Sequence, residues 1–424
     1  MSIDKNIQKD VVIVGAGMVG LSLALALHQN GLQVAIVEAK KIAINPLKQE
    51  RIETRVSAIN HASKRFLKEL GLWDNIKSAR VSPYYKMQVW DDSLENHITI
   101  TAEEISEHSL GSIVENDVIT QALMEKIQST NIEIFDNQKI EKIQKNGMTE
   151  KLFLKTVISD PDPESHSVNL NRNSSEILNQ VQDDKNFLIE TNLIVGADGA
   201  NSFIRDYFNF ETKIKPYNHT SIVATLELEN PHDYTAYQRF YDKGVLAFLP
   251  LENKNKASIV WSVKNDYASY LMKLGDIEFE KTLSLAISNQ LGDVKLLSKR
   301  FGFELIQRHA QTYIQDNVVL VGDACHSIHP LAGQGVNLGF KDVVSLTDVI
   351  TKAFKKGRLI GHVSTLDKYQ RDRMLDNKKM ITLMKSFKEG FANDNEYIKQ
   401  ARRWGLDLVG KNILIKKIVV KQAL

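Results

Sequence analysis

Cysteine is almost missing from this chain: Cys325 is the single one in 424 residues. A lone thiol excludes an intrachain disulfide and fits a reducing compartment. Long apolar runs are missing too. No stretch reaches the roughly 20 residues that a membrane-spanning helix needs. The nearest, 11–27, follows Lys5 and Lys9 and so mimics a signal peptide, but the glycines inside it have a better explanation, given below. Charge of one sign is also scarce. With 54 basic and 52 acidic residues the net charge is +2, which offers no global argument for nucleic acid. What remains has ordinary globular composition and enough length for two or three domains.

The most informative stretch is 318–342, Val318-Val-Leu-Val-Gly-Asp-Ala-Cys-His-Ser-Ile-His-Pro-Leu-Ala-Gly-Gln-Gly-Val-Asn-Leu-Gly-Phe-Lys-Asp. Four apolar residues, three of them β-branched, predict a buried strand over 318–321. Gly322 lets the backbone turn, and Asp323 places a carboxylate at the strand's carboxyl end. Pro330 stops local structure, while Gly333, Gly335 and Gly339 allow main-chain N–H groups to approach a bulky ligand closely. From Val336 the apolar spacing turns helical. The glycine turn therefore opens onto a helix N-terminus, which suits an anionic or electron-rich ligand.

Two more loops follow the same logic. Asp10-Val-Val-Ile-Val-Gly15-Ala-Gly17-Met-Val-Gly20 reads strand, turn and helix, the helix stopping at Gly31. A strand over 33–37 then ends in Glu38, eighteen residues after Gly20. This is the full fingerprint of a dinucleotide-binding βαβ unit. Gly15 permits the turn, Gly17 admits a pyrophosphate, Gly20 lets helix and strand pack, and Glu38 accepts from an adenosine ribose hydroxyl. The acid favours a free 2′-hydroxyl, hence FAD or NAD over NADP. The third loop, Leu193-Ile-Val-Gly196-Ala-Asp198-Gly199-Ala-Asn-Ser202-Phe-Ile-Arg205, repeats the Ile-Val-Gly-Ala core. Three such strand ends suit one large cofactor held from several sides.

The rest is organised around them. Arg55 heads a short apolar run before a helix closing at Leu70-Gly71, and is a candidate cofactor contact. Strands are expected within 84–101, an amphipathic helix over 116–128, and β-structure over 132–157. Residues 159–186 are polar, with two prolines and no Phe, Trp, Tyr or Gly. They read as a solvated insertion between two strands that a short turn would normally join. Strands at 221–228, 245–249 and 257–263 and a helical segment near 278–291 suggest an antiparallel, substrate-facing domain. The expected division is a discontinuous cofactor domain over 1–83, 105–213 and 301–375, a substrate domain over 84–104 and 214–300, and a helical segment over 376–424 without obvious chemistry. Cys325, His326 and His329 offer ligand-type atoms, but the strand–turn context already assigns them and no fourth ligand is evident, so no metal is expected.

The glycine fingerprint, Gly-Ala-Asp-Gly-x-x-Ser-x-x-Arg at 196–205 and Gly-Asp-Ala-x-His at 322–326 together resemble the single-component FAD-dependent aromatic hydroxylases. More narrowly, 322–339, Gln238-Arg-Phe with Leu249-Pro-Leu, Val260-Trp-Ser and Ile113-Val-Glu-Asn resemble the ubiquinone-biosynthesis hydroxylases. The resemblance spans nearly the whole chain except 159–186. Cys325 stands where alanine is usual, and Asn116 where many relatives outside the ubiquinone group carry a flavin-contacting Arg or Gln.

The resemblance implies an α/β architecture: a Rossmann-like FAD-binding domain interleaved with a mainly antiparallel substrate domain, plus a helical C-terminus. It implies that Gly15, Gly17, Gly20 and Glu38 hold the ADP half of FAD. Asp323, after Gly322, would bond the ribityl chain. Pro330, Gly333, Gln334, Gly335, Val336 and Asn337 would lie beside the flavin ring, and Asp198 and Gly199 would contact FAD or the reduced nicotinamide donor. It further implies a monooxygenase that uses molecular oxygen and electrons from NAD(P)H or a reductase. The electrophile is a flavin C4a-hydroperoxide, attacked by an electron-rich carbon of a polyprenylated phenol. No nucleophile–base pair is required, and no catalytic side chain is assigned. The alternatives are a hydroxylase of a soluble aromatic acid and a non-catalytic, lipid-binding member of the same fold. Other ubiquinone-biosynthesis proteins are expected partners and nucleic acid is not. The expected location is cytoplasmic with peripheral contact at the inner membrane. Residues 399–424 combine seven basic side chains with one acid and many apolar ones, a composition suited to a lipid interface.

Overall fold

The structure, a computed structural model, describes residues 5–42, 53–91, 97–157, 187–327 and 335–391. Among these residues the strands form three sheets. The first carries the βαβ unit. Five of its strands, Val318–Leu320, Phe187–Gly196, Lys5–Val14, Val34–Val37 and Glu133–Phe135 in spatial order, run parallel, and Ile314–Gln315 pairs antiparallel with the first of them. The three strands that end in glycine are therefore neighbours, and their turns lie along one edge. Two of them share the Ile-Val-Gly core and the third has Leu-Val-Gly.

The helix Met18–Gln29 packs against this sheet, with everything from Gly20 to Leu27 buried. It is apolar all round because sheet and helices enclose it, which explains the run at 11–27. Helices Asn116–Gln128 and Gly335–Phe354 flank it, and the last helix, Val363–Phe391, lies against the latter. The expected helix after Arg55 is His61–Glu69, capped by Asn60, whose side chain accepts the Ser63 N–H at 2.8 Å. Gly71 follows it with φ +73°.

The hairpin Gln138–Asn146 and Thr149–Thr156 joins the first sheet through an antiparallel pairing that sets Leu154 opposite Phe187. The two strands expected to flank the polar insertion thus pair as a short turn would have them pair. The insertion lies outside the described residues.

The second sheet orders its strands as His326–Ser327, Phe301–Ala310, Thr212–Leu228, Lys256–Lys264, Gly244–Pro250, Thr235–Tyr241, Lys86–Trp90 and His97–Thr101. Pairing is antiparallel except between Thr235–Tyr241 and Lys86–Trp90. Helices Asn265–Lys273 and Asp276–Ala286 cover one face, burying Trp261, Phe248, Phe279 and Leu283. The first of these helices has no counterpart in the sequence reading, and the second ends five residues before 291 because Ser288 and Asn289 turn left-handed. The third sheet, Val56–Ile59, Gly111–Glu115 and Ser82–Tyr84, bridges the two units.

Several expected limits cut through elements or pairings: that at 83 falls inside Ser82–Tyr84 and that at 213 inside Thr212–Leu228. Phe301–Ala310, grouped by sequence with the cofactor unit, pairs with Thr212–Leu228 in the second sheet. The limit at 375 falls inside the continuous helix Val363–Phe391.

Candidate cofactor site

The three turns interlock as they leave the sheet. Gly15 donates to the Val37 carbonyl at 2.8 Å, Ala197 to Val14 at 2.8 Å, and Val321 to Gly196 at 3.0 Å. Gly15 has φ +109°, and a Cβ there would meet the Ala197 carbonyl. A Cβ on Gly20 would strike the Gly15 carbonyl, so the helix could not sit this close to the turn. Gly17 faces open space within 4 Å, as a position that receives a ligand should. Glu38 accepts N–H groups from Ala16 at 2.8 Å and Lys40 at 3.0 Å, which places its carboxylate at the mouth of the turn.

In the second turn Asp198 Oδ2 accepts the Ile204 N–H at 3.1 Å, while Oδ1 is buried with no partner among the described residues. Burial raises this carboxyl above its ordinary value. Gly199, at φ +82°, also faces open space. Arg205 lies buried behind them. Its guanidinium donates to the carbonyls of Ala200 at 3.0 Å and Ala324 at 3.3 Å and so ties the second turn to the third.

The third turn is a single 3₁₀ turn, Gly322–Ala324, with Gly322 at φ +59°. Asp323 is open to solvent yet crowded by protein on its other sides. Desolvation by the surrounding protein raises its carboxyl above the ordinary value, against the pull of His326 and Arg55. Arg55, exposed, extends over the Phe303 ring at 5.6 Å. Val19 of the first helix touches the space beside both Gly322 and Gly339, so a Cβ on Gly339 would strike it.

The remaining expected residues divide. Gly335 begins its helix in open space, and Val336 packs on the main core. The Asn337 side chain is occupied by protein: it donates to the Ala58 carbonyl at 2.7 Å and accepts the Asn60 N–H at 3.2 Å. Pro330, Gly333 and Gln334 lie outside the described residues, as does His329. Asn116 accepts from the Ser57 hydroxyl at 2.7 Å.

Open glycines, a buried carboxylate oxygen without a partner and a solvent-facing Asp323 at the ends of neighbouring strands fit a long dinucleotide that supplies hydroxyl and phosphate partners. Cys325, His326 and Asp342 bring three ligand-type atoms within 4.8 Å of one another. The Asp342 carboxylate is already matched by Arg373 at 2.7 Å, which argues against a cation there. Asp342, Arg373, Asn377 and Arg205 were not among the expected site residues. A buried charge within an apolar helix face was the available signal for Asp342.

A parallel sheet with three glycine turns, joined to a mainly antiparallel sheet, is the architecture of a dinucleotide-binding protein. Residues 8–383 match the FAD binding domain family. The chain is 32% identical to 3-demethoxyubiquinol 3-hydroxylase of Escherichia coli, covering 99% of both. It is 31% identical to the mitochondrial ubiquinone biosynthesis monooxygenase COQ6 of Danio rerio, over 96% of this chain and 87% of that one. The p-nitrophenol 4-monooxygenase PnpA of Pseudomonas putida has the same fold, with TM-score 0.76, 17% identity and coverage of 99% and 98%. The chain therefore belongs to the FAD binding domain family and, within it, to the group of ubiquinone-biosynthesis hydroxylases.

Proposed function

We propose that this monooxygenase hydroxylates the aromatic ring of a polyprenylated phenol in ubiquinone biosynthesis. The observation that carries the reading is the end-to-end similarity to 3-demethoxyubiquinol 3-hydroxylase, combined with three cofactor turns converging on one edge. FAD, when bound, activates molecular oxygen with electrons from a reduced donor. The chain's own part is to bind, orient and keep dry. Gly15, Gly17, Gly20 and Glu38 would hold the ADP half, and Asp198, Gly199, Gly322 and Asp323 the stretch toward the flavin. Arg55, beside Asp323, is a further contact in this reading.

The parallel sheet is the cofactor unit in this reading and the antiparallel sheet the substrate unit. The third sheet joins them: its Ala58 and Tyr84 are buried with Ile98, Leu249 and Leu251 of the antiparallel unit, and the Ser258 hydroxyl donates to the Thr54 carbonyl at 3.3 Å. Burial pushes the Tyr84 phenol far above its ordinary value, so it stays protonated.

The test is to purify the protein, measure bound FAD and follow donor-dependent oxygen uptake, then identify the prenylphenol that accumulates when the gene is deleted. An under-hydroxylated prenylphenol is the expected product. An unchanged quinone pool would overturn the substrate, and bound flavin without oxygen uptake would favour the non-catalytic reading.

Peripheral membrane contact through 399–424 belongs to the same proposal, since the substrate dissolves in lipid. That segment lies outside the described residues. Among those described, no helix is long and apolar enough to cross a membrane. Flotation with anionic liposomes that is unaltered when Lys411, Lys416, Lys417 and Lys421 are changed to Gln would move the contact elsewhere.

A further inference from the structure

Beneath the third turn lies a buried polar cluster that direct cofactor contacts leave unexplained. Asp342, on the helix Gly335–Phe354, is fully buried. One carboxylate oxygen accepts the Gly322 N–H at 2.9 Å and stands 2.6 Å from His326 Nε2, while the other accepts Arg373 Nε at 2.7 Å. Burial alone would raise this carboxyl, but His326 and Arg373 hold it below its ordinary value. Arg373 continues to Asn377 at 3.1 Å and to Asp376 at 2.9 Å. Asn377 donates to the Tyr313 hydroxyl at 3.1 Å, and that hydroxyl meets His309 Nε2 at 3.0 Å.

The last helix takes part through one face. Positions 369, 373 and 377 recur every four residues, so they line up along Val363–Phe391. The Tyr369 hydroxyl donates to the Leu320 carbonyl at 2.8 Å, at the end of the strand that feeds the turn. The sheet ladder ends at Val321, whose N–H still reaches Gly196. The next N–H, that of Gly322, has left the ladder, and Asp342 takes it. Cys325 then closes the turn by donating to the Gly322 carbonyl at 3.0 Å. The buried carboxylate thus sits where the chain changes direction, one residue before Asp323.

We propose that Asp342 and Arg373 are positioning residues for the flavin: acting through the Gly322 N–H and the His326 ring, they fix the direction in which Asp323 leaves the sheet. The last helix thereby sets cofactor affinity. The inference rests on FAD as the cofactor and is independent of which phenol is hydroxylated.

The test measures FAD dissociation constants on apoprotein by flavin fluorescence, well below each variant's melting temperature. Asp342→Asn and Arg373→Gln weaken FAD by about tenfold or more, the equivalent of one lost charged hydrogen bond. Arg373→Lys loses less, since it keeps the charge but not the fork that also reaches Asn377. Leu283→Ala, in the core under the second sheet, lowers the melting temperature and leaves the dissociation constant unchanged. Variants at 342 and 373 that melt early yet bind FAD as the wild type does would overturn the proposal, because a purely structural role has that outcome. Should Asp342→Asn fail to fold, the order of Arg373→Lys and Arg373→Gln decides. Wild-type protein that binds no FAD would instead defeat the cofactor assignment.

Discussion

The turn after Val14 and the turn after Leu320 open on the same edge of one parallel sheet, yet different forces hold them. The first is shaped by contact: Gly15 and Gly20 leave out Cβ atoms that would strike backbone carbonyls, and Glu38 closes the loop from the next strand. The third is shaped by charge: a buried carboxylate, balanced by His326 and Arg373, takes the Gly322 N–H. A sterically defined turn tolerates no added atom but needs no distant partner. An electrostatically defined turn tolerates small changes of shape but depends on two helices arriving in the right place.

The largest effect expected from this contrast is at Gly20. Gly20→Val collides with the Gly15 carbonyl and abolishes FAD binding, read as flavin absorbance per purified chain. A yellow variant with full flavin content would show that the first turn is less rigid than its contacts imply. Next comes Arg373→Met, which leaves Asp342 buried without its counter-charge and costs about 3–5 kcal/mol in denaturant unfolding. A loss under about 1 kcal/mol would mean that the contacts from Gly322 and His326 hold the buried carboxylate without Arg373.

Asp323→Asn separates binding from stability within the third turn. It weakens FAD by about 1.5–3 kcal/mol, the range for a hydrogen bond to a charged group. Apoprotein stability is equal or slightly higher, because desolvation already disfavours the Asp323 carboxylate. Loss of both together would merge Asp323 with the scaffold.

The buried polar cluster beneath the third turn, which reaches His309 through Tyr313, also predicts a pH dependence. Burial, with His326 and nearby lysines, lowers His309 from 6.5 to about 4. The unfolded chain takes up this proton first, so stability falls as pH drops through that window. His309→Gln should flatten the profile there, and an unchanged slope would locate the proton uptake elsewhere. Smallest of all is the effect of trimming 159–186 to a short turn. Loop-closure entropy grows slowly with length, so stability shifts by less than about 1 kcal/mol and flavin content holds. Insoluble trimmed protein would show that the insertion packs on one of the two sheets.

The sequence by itself determined the first turn almost completely. Its strand, glycine spacing and acid are local, and each glycine answers a backbone constraint that only nearby residues impose. It also marked the second turn through the repeated Ile-Val-Gly core and the third through its Leu-Val-Gly variant, and it marked the two strands flanking the insertion. Only the tertiary structure decided that the three turns are neighbours, because β-propensity does not name a strand's partner. For the same reason the sequence grouped 301–375 as one stretch, although Phe301–Ala310 pairs with Thr212–Leu228 in the second sheet. Arg373 and Asn377 were illegible for a related reason. Along a helix rich in Lys, Arg and Asp, a cation that will be buried beside a carboxylate 31 residues away looks like one facing water. A side chain's charge is written in the sequence, but its counter-charge is assigned by packing.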